Sequence, residues 1–181
     1  TNKPHVITQK LVINRKYELI EKYPADGYAR ANKITFKVAD TGEIQSVVMH
    51  DATTKVEFNK IASDTKKQLK GAEYEVYDSN GKKVYEFTTG KKATLIEGLF
   101  IVGETYTFKE AKAPKNYKLT KDVKIKIKDT GKVQKLEATD ERIHNNPVTG
   151  IMVNPFIPLI LLIGVGLAVG GFIVVRKKEN A

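Results

Sequence analysis

An internal repeat of 89 residues is the feature that most constrains the fold of this chain. Shifting the sequence by that distance superimposes identical residues at Tyr17 and Tyr106, Glu21 and Glu110, Tyr28 and Tyr117, Asp40-Thr41-Gly42 and Asp129-Thr130-Gly131, Gln45 and Gln134, and Asp51 and Asp140. So many identities in one register indicate a duplicated structural module. Residues 1–51 are then the C-terminal half of one module, and residues 53–142 form a complete second module.

Alternating apolar and polar residues predict that both modules are all-β. The pattern runs through Lys55–Lys60, Glu73–Tyr77, Tyr106–Glu110 and Val123–Ile127, which is the signature of half-buried strands. Turn residues separate these segments, among them Asp78-Ser79-Asn80-Gly81 and Asp129-Thr130-Gly131. Short strands at this spacing favour a β-sandwich, and no long amphipathic helix competes with it.

Three ionisable residues of the second module fall on strand faces that should point inward. Lys60 is in phase with Val56 and Phe58, Glu110 with Tyr106 and Phe108, and Asp140 with Leu136 and Ala138. Buried charges must pair or change protonation state. From periodicity alone, three interpretations remain open: strand-end residues that reach water, a buried ion-pair triad, or a reactive cluster.

The second module resembles the B-type repeat of the collagen adhesin Cna and the SpaA-type pilin domains. The resemblance is carried by Lys55–Ala72, by the box Tyr106–Tyr117 and by the last strand into Asp140, and the box recurs at Tyr17–Tyr28. It implies a transthyretin-like (prealbumin-like) sandwich of inverse immunoglobulin type. Asn116 stands where that box usually has Gly.

The same resemblance implies a self-formed isopeptide bond. Lys60 would supply a neutral amine, Asp140 the carbonyl carbon, and Glu110 the acid that shuttles protons, with water released. An apolar site favours this chemistry, because it disfavours the charged forms of both amine and carboxyl. Glu21 and Asp51 match the acid and acceptor positions in the first module, whose lysine donor would lie before residue 1. Such a reaction turns over once, so it makes the chain no enzyme.

The C-terminal part of the chain reads as a membrane span with a basic flank. Residues 157–175 carry no charge, and 19 residues extend over roughly 29 Å as a helix, close to the thickness of a bilayer core. Arg176-Lys177-Lys178 follow at once, so the tail 176–181 should be cytoplasmic and residues 1–150 outside.

Together with the linker 143–150, this span resembles the cell-wall sorting signal of Gram-positive surface proteins. The motif is Asn146-Pro147-Val148-Thr149-Gly150. The resemblance implies that a sortase cuts between Thr149 and Gly150 and passes Thr149 to an amine of peptidoglycan or of a pilus subunit. The usual first residue is Leu, and Asn146 resembles the motifs of specialised sortases. The protein would then span the membrane only before sorting and end in the wall, at the cell surface.

Composition and spacing argue against other classes of function. The chain has no Cys and a net charge of +10, but its lysines are dispersed along strands and turns, which does not favour nucleic-acid binding. The three histidines lack ligand spacing, so no metal or cofactor is expected. The sequence therefore predicts a structural stalk, a wall-anchored adhesin or pilin subunit for which host extracellular matrix is a candidate ligand. The alternative is a wall-proximal spacer for a surface enzyme or ligand-binding protein whose working domain lies upstream.

Overall fold

The computed structural model describes residues 4–144, and these residues form β-strands without a helix. The predicted all-β class is thereby confirmed. No helix between residues 4 and 144 is long and apolar enough to cross a membrane. The proposed sorting motif at Asn146–Gly150, the span 157–175 and the tail 176–181 lie outside the described residues.

The second module is a sandwich of two sheets. One sheet has the strand order β10-β9-β6-β7 and the other β11-β5-β8. The strands are β5 (Lys55–Ala62), β6 (Glu73–Tyr77), β7 (Lys83–Thr88), β8 (Thr94–Glu97), β9 (Thr105–Lys112), β10 (Val123–Lys126) and β11 (Val133–Asp140). All pairings in these sheets are antiparallel except that of β11 with β5.

The core lies between the two sheets and is built from the inward-facing positions of the alternating pattern. Val56 and Phe58 of β5 are fully buried, as are Val76 of β6 and Phe108 of β9. The rings of Phe58 and Phe108 stack with their centroids 5.3 Å apart, which ties the two sheets together. Continuing the same alternation along β5 brings Lys60 into the core.

Residues 4–53 contribute four shorter strands in two small sheets. β1 (Lys16–Leu19) pairs with β3 (Ile34–Lys37), and β2 (Tyr28–Ala29) pairs with β4 (Ala52–Thr53). Apolar residues of this part remain at the surface, such as Ile20 and Ile44, which are 61% and 84% exposed. Among residues 4–144, no second sheet packs on β1 and β3 in the way that the three-stranded sheet packs on the equivalent strands β9 and β10.

The 89-residue repeat extends to strand register and to individual hydrogen bonds. Tyr17 pairs with Phe36 in β1 and β3, as Tyr106 pairs with Ile125 in β9 and β10. The Tyr17 hydroxyl accepts a hydrogen bond of 2.9 Å from the backbone N–H of Val12. The Tyr106 hydroxyl accepts one of 3.1 Å from the backbone N–H of Ile101. The sequence identities therefore mark the same local structure formed twice.

A close junction joins the two repeats, whose described residues belong to one compact unit that ends at Ile143. The carbonyl oxygen of Gly27 accepts a hydrogen bond of 2.9 Å from the backbone N–H of Thr54. Gly27 has a left-handed φ of +83°, and a Cβ at this position would collide with the carbonyl group of Gly98. Glycine is thus required here both by backbone conformation and by the neighbouring chain.

Candidate functional site: a buried Lys, Glu and Asp cluster

Each sheet of the sandwich contributes two side chains to a buried polar cluster at one end of the core. Lys60 at the end of β5 and Asp140 at the end of β11 come from the three-stranded sheet. Tyr74 and Glu110 come from the four-stranded sheet, where they are directly opposite each other on β6 and β9. The side chains of Lys60, Glu110 and Asp140 are completely inaccessible to solvent.

Lys60 is the centre of the cluster. Its Nζ donates a hydrogen bond to Oδ1 of Asp140 and one of 2.8 Å to the hydroxyl of Tyr74. The same Nζ lies 3.0 Å from Oε1 of Glu110. The structure therefore brings together the three residues singled out in the sequence, and none of the three reaches water.

Two carboxylate oxygens in the cluster have no hydrogen-bond partner of good geometry. They are Oε1 of Glu110 and Oδ2 of Asp140. Oε1 of Glu110 is near Lys60 Nζ, but that contact is a charge contact rather than an aligned hydrogen bond. A buried carboxylate oxygen that stays unpaired is costly, so the cluster as it stands is poorly compensated. Such a cluster favours a change in protonation or in covalent structure.

The surroundings of Glu110 favour its neutral acid form. Burial raises the pKa of Glu110 above its usual value, and the nearby Asp140 carboxylate adds to this effect. The hydrogen bond from the Thr120 backbone N–H, 2.7 Å from Oε2, and the Lys60 ammonium act in the opposite direction without cancelling it. Glu110 is therefore suited to hold a proton at a pH where an exposed glutamate would be ionised.

Tyr74 is the residue that the sequence interpretation missed. Burial, with help from the carboxylates of Glu110 and Asp140, raises the pKa of its phenol, so the hydroxyl stays protonated. Its ring packs on Phe58 with 4.6 Å between centroids, and Lys60 Nζ lies 5.2 Å from the Tyr74 ring centroid. The alternation with Val76 predicts that Tyr74 points inward. It does not predict a place in the cluster, because a buried tyrosine is usually a core residue.

Backbone contacts close the cluster from the outside. The chain turns back after β5, and the N–H of Leu69 donates a 2.7 Å hydrogen bond to the carbonyl oxygen of Lys60. In the same turn the N–H of Ser63 donates to the carbonyl oxygen of Asp140 at 2.9 Å. The Ser63 bond, together with the parallel pairing of β5 and β11, holds the ends of these two strands side by side, so the sheet itself positions the amine and the carboxyl.

The counterparts in the first repeat are only partly assembled. Glu21 accepts a 2.8 Å hydrogen bond from the backbone N–H of Ala31, as Glu110 does from Thr120. Asp51 is exposed. No lysine from residues 4–144 reaches Glu21 or Asp51 in a salt bridge. No group of acidic or histidine side chains in the described part of the chain could hold a metal ion.

Residues 54–142, slightly under half of the chain, match the family model described as SpaA, a prealbumin-like fold domain. The second module therefore has the fold that the sequence resemblance implied. No curated protein matches the sequence.

Several solved structures are similar to the chain. The Bacillus anthracis TIE protein is 24% identical, with a TM-score of 0.48 over 71% of this chain and 25% of that protein. The group B streptococcus pilus 2b backbone protein is 20% identical, with a TM-score of 0.44 over 61% and 44% of the two chains. The shaft pilin SpaA from Lactobacillus rhamnosus GG is 18% identical, with a TM-score of 0.41 over 73% and 66%. The chain thus spans a quarter of the first protein and less than half of the second.

Proposed function

We propose that this chain is the stalk region of a wall-anchored adhesin or pilin subunit of a Gram-positive bacterium, with its second module cross-linked by an amide between Lys60 and Asp140. The observation that carries the proposal is the contact of Lys60 Nζ with the Asp140 carboxyl beside Glu110, all three inaccessible to water. The SpaA-type fold of residues 54–142 supports it. The cross-link itself is part of the proposal.

The proposed reaction needs only the groups of the cluster. A proton moves from the Lys60 ammonium to the Asp140 carboxylate, and the neutral Nζ attacks Cγ of Asp140. Glu110, held as the acid, donates a hydrogen bond to the developing oxyanion and passes a proton to the departing hydroxyl. Glu110 then takes back the proton that the nitrogen loses. One C–N bond forms, one C–O bond breaks, and one water leaves, with Glu110 unchanged.

Position and electrostatics both lower the barrier for this step. The sheet holds the amine against the carboxyl, which replaces an encounter in solution by a reaction between fixed neighbours. The hydroxyl of Tyr74 accepts a hydrogen bond from Nζ at 2.8 Å and so orients the amine. The apolar surroundings, with Phe58 and Phe108 packed below the cluster, exclude water and strengthen each remaining polar contact.

The place of the bond in the topology suits a load-bearing stalk. Strand β5 is the first strand of the module and receives the chain from the first repeat, whereas β11 is the last strand and leads to the linker 143–150. An amide from Lys60 to Asp140 would carry tension directly from β5 to the end of β11. The residues between these two positions would then be spared from unfolding under load.

The far end of the stalk would be fixed by sorting. We propose that a sortase cleaves between Thr149 and Gly150 and joins Thr149 to peptidoglycan or to a pilus subunit. This part rests on the motif Asn146–Gly150, the uncharged span 157–175 and the basic tail 176–181. The precursor would cross the membrane once, and the mature protein would be held at the cell surface.

Intact-mass measurement tests the central claim. The folded protein should weigh one water less than its sequence, and Lys60→Met or Glu110→Gln should each restore the full mass expected for the variant. Lys55→Met is the matched control, because Lys55 is on the same strand but has its side chain partly exposed beside Glu97. A folded protein with the full mass of its sequence, without the loss of one water, would contradict the proposed bond.

A further inference from the structure

The first repeat contacts the second module at the turn between β10 and β11. We call the contact surface on this turn the seat. Oδ1 of Asp129 accepts a 2.8 Å hydrogen bond from the backbone N–H of Arg30, and Oδ2 lies 3.5 Å from Nε of the same arginine. Two residues further on, Gly131 packs against β4, where a Cβ on Gly131 would collide with the Cβ of Ala52. Asp129 and Gly131 thus serve the contact between repeats.

The first repeat contains the same turn, Asp40-Thr41-Gly42. Its internal hydrogen bonds are conserved in geometry: Thr41 Oγ1 accepts from the N–H of Glu43 at 3.2 Å, as Thr130 Oγ1 does from Lys132. The side-chain oxygen of Gln45 likewise accepts from the N–H of Ala39 at 2.9 Å. The turn itself therefore explains why Thr41 and Gln45 are repeated.

The turn does not explain why Asp40 and Gly42 are repeated. Among residues 4–144 the Asp40 carboxylate takes part in no hydrogen bond or salt bridge, although its counterpart Asp129 holds Arg30. Gly42 has no left-handed φ, and a Cβ on it would meet nothing within 4 Å in the described chain. Among residues 4–144, therefore, no contact of Asp40 or Gly42 accounts for the repetition of these two residues.

We propose that Asp40 and Gly42 form the seat for a further module of the same kind, joined on the N-terminal side of the first repeat. The edge of this further module would resemble residues 27–30. It would place a basic residue against Asp40, as Arg30 is placed against Asp129. A small residue of its linker strand would pack on Gly42 as Ala52 packs on Gly131. The module would be stacked as the first repeat is stacked on the second.

The position in the first repeat that is equivalent to Gly98 is also compatible with a docked module. Gln9 takes the place of Gly98, and both have left-handed φ values, +56° and +68°. The side chain of Gln9 is compatible with the contact, because a Cβ at Gly98 would lie at an ordinary 3.8 Å from Cγ2 of Thr53. Charge complementarity at Asp40 favours this partner. So does the contact of the first repeat with the turn between β10 and β11, which is the same kind of docking within this chain.

The exit edge of the second module does not fit this seat. It carries Asn116 and Leu119 where the first repeat has Gly27 and Arg30. It therefore lacks the cation for an Asp40-type carboxylate, and it has a side chain at the position where a Cβ on Gly27 would collide with Gly98. A second copy of this chain, docked through that edge, is for this reason not the proposed partner.

The test determines the sequence that precedes Thr1 in the gene and uses a chain extended through it, with spin labels in the first repeat and in the module that we expect to precede it. We expect the upstream sequence to contain an edge with a basic residue in the Arg30 position. Asp40→Ala and Gly42→Ala should each broaden the distribution of distances between these two labels. The broadening should be as large as the one that Asp129→Ala causes for labels placed in the first repeat and in the second module. Glu43→Ala, on the same turn but outside the seat, should leave it narrow.

Two results would overturn the inference. One is an upstream segment that is not a module of this fold, and the other is an unchanged label distance in Asp40→Ala and Gly42→Ala when Asp129→Ala broadens its own. The inference relies on the proposed stalk function only in requiring several modules in series. Its failure is separable from that of the cross-link, since the mass deficit of one water is measured independently.

Discussion

Lys60 and Asp140 meet diagonally across the parallel pair of β5 and β11. The register places Lys60 beside Ala138 and Asp140 beside Ala62, so the carboxyl is two residues beyond the position opposite the lysine. Both point to the same face because side chains on a strand alternate with a period of two. The long lysine side chain spans the diagonal, and its Nζ reaches Oδ1 of Asp140.

Loss of the lysine should destabilise the second module strongly. Lys60 and Asp140 are 80 positions apart, and the chain-entropy expression for a cross-link over such a loop gives about 4.5 kcal/mol. We therefore expect Lys60→Met to lower the thermal midpoint far more than the control Lys55→Met. Removal of the exposed Lys55 contact with Glu97 should cost less than about 1 kcal/mol. Equal midpoints for the two variants, measured by calorimetry, would exclude a cross-link that stabilises the fold.

Replacement of the proposed acid should stop bond formation without unfolding the module. Glu110→Gln keeps an oxygen that can accept the hydrogen bond from the Thr120 N–H, but it cannot donate a proton as an acid does. We expect a folded protein with the full mass expected for the variant. Glu137→Gln, on the outer face of β11, should show the deficit of one water. A deficit in Glu110→Gln would remove Glu110 from the mechanism.

The hydroxyl of Tyr74 should affect the rate of bond formation rather than its outcome. Tyr74→Phe retains the ring that packs on Phe58 and removes the oxygen 2.8 Å from Lys60 Nζ. The amine then loses one of the contacts that orient it, so the bond should form several-fold more slowly. The measurement is the mass deficit as a function of time after cell-free synthesis, with the partly exposed Tyr85→Phe as control. Identical time courses would show that Tyr74 only packs.

The inward position of the three charged residues could be predicted from the sequence, but their partners could not. A period of two is imposed by the backbone, so Lys60, Glu110 and Asp140 inherit the face of their apolar neighbours. Likewise the 89-residue repeat in the sequence is accompanied by equivalent registers of β1 with β3 and of β9 with β10. Periodicity contains no information about which buried tyrosine lies beside the amine.

Contacts between distant surface residues were also beyond the sequence. Arg30 and Asp129 are 99 positions apart, and many exposed charges of both signs compete as partners. Strand β7 was missed for a different reason: its inward residues Val84 and Phe87 are three positions apart, and β6 pairs with it through a register shift, so regular alternation is lost. Tertiary contacts determine both the pairing of Arg30 with Asp129 and the irregular burial pattern of β7.

The stability of a cross-link-free variant should depend on pH through Glu110. Burial raises the pKa of Glu110 in the folded protein above the usual 4.5, and Lys60→Met removes a cation that opposes this shift. The folded state then holds a proton that the unfolded state releases, so stability is fully present below about 4.5 and is lost as the pH rises toward the folded-state pKa. The slope should approach about 1.4 kcal/mol per pH unit. Urea titrations should show a much shallower slope for Lys60→Met/Glu110→Gln, and equal slopes would contradict the assignment.

The junction between the repeats can be tested with a pair of glycines that differ in one respect. Gly27 and Gly81 have similar left-handed φ values, +83° and +78°, but only a Cβ at Gly27 would collide with another part of the chain, the carbonyl group of Gly98. Gly81→Ala should therefore cost only the backbone strain of about 1–2 kcal/mol, whereas Gly27→Ala should in addition push the repeats apart. The Thr54 amide, bonded to the Gly27 carbonyl at 2.9 Å, reports this directly. Its hydrogen exchange should accelerate in Gly27→Ala and not in Gly81→Ala, and equal rates would show that the two repeats are not held by this contact.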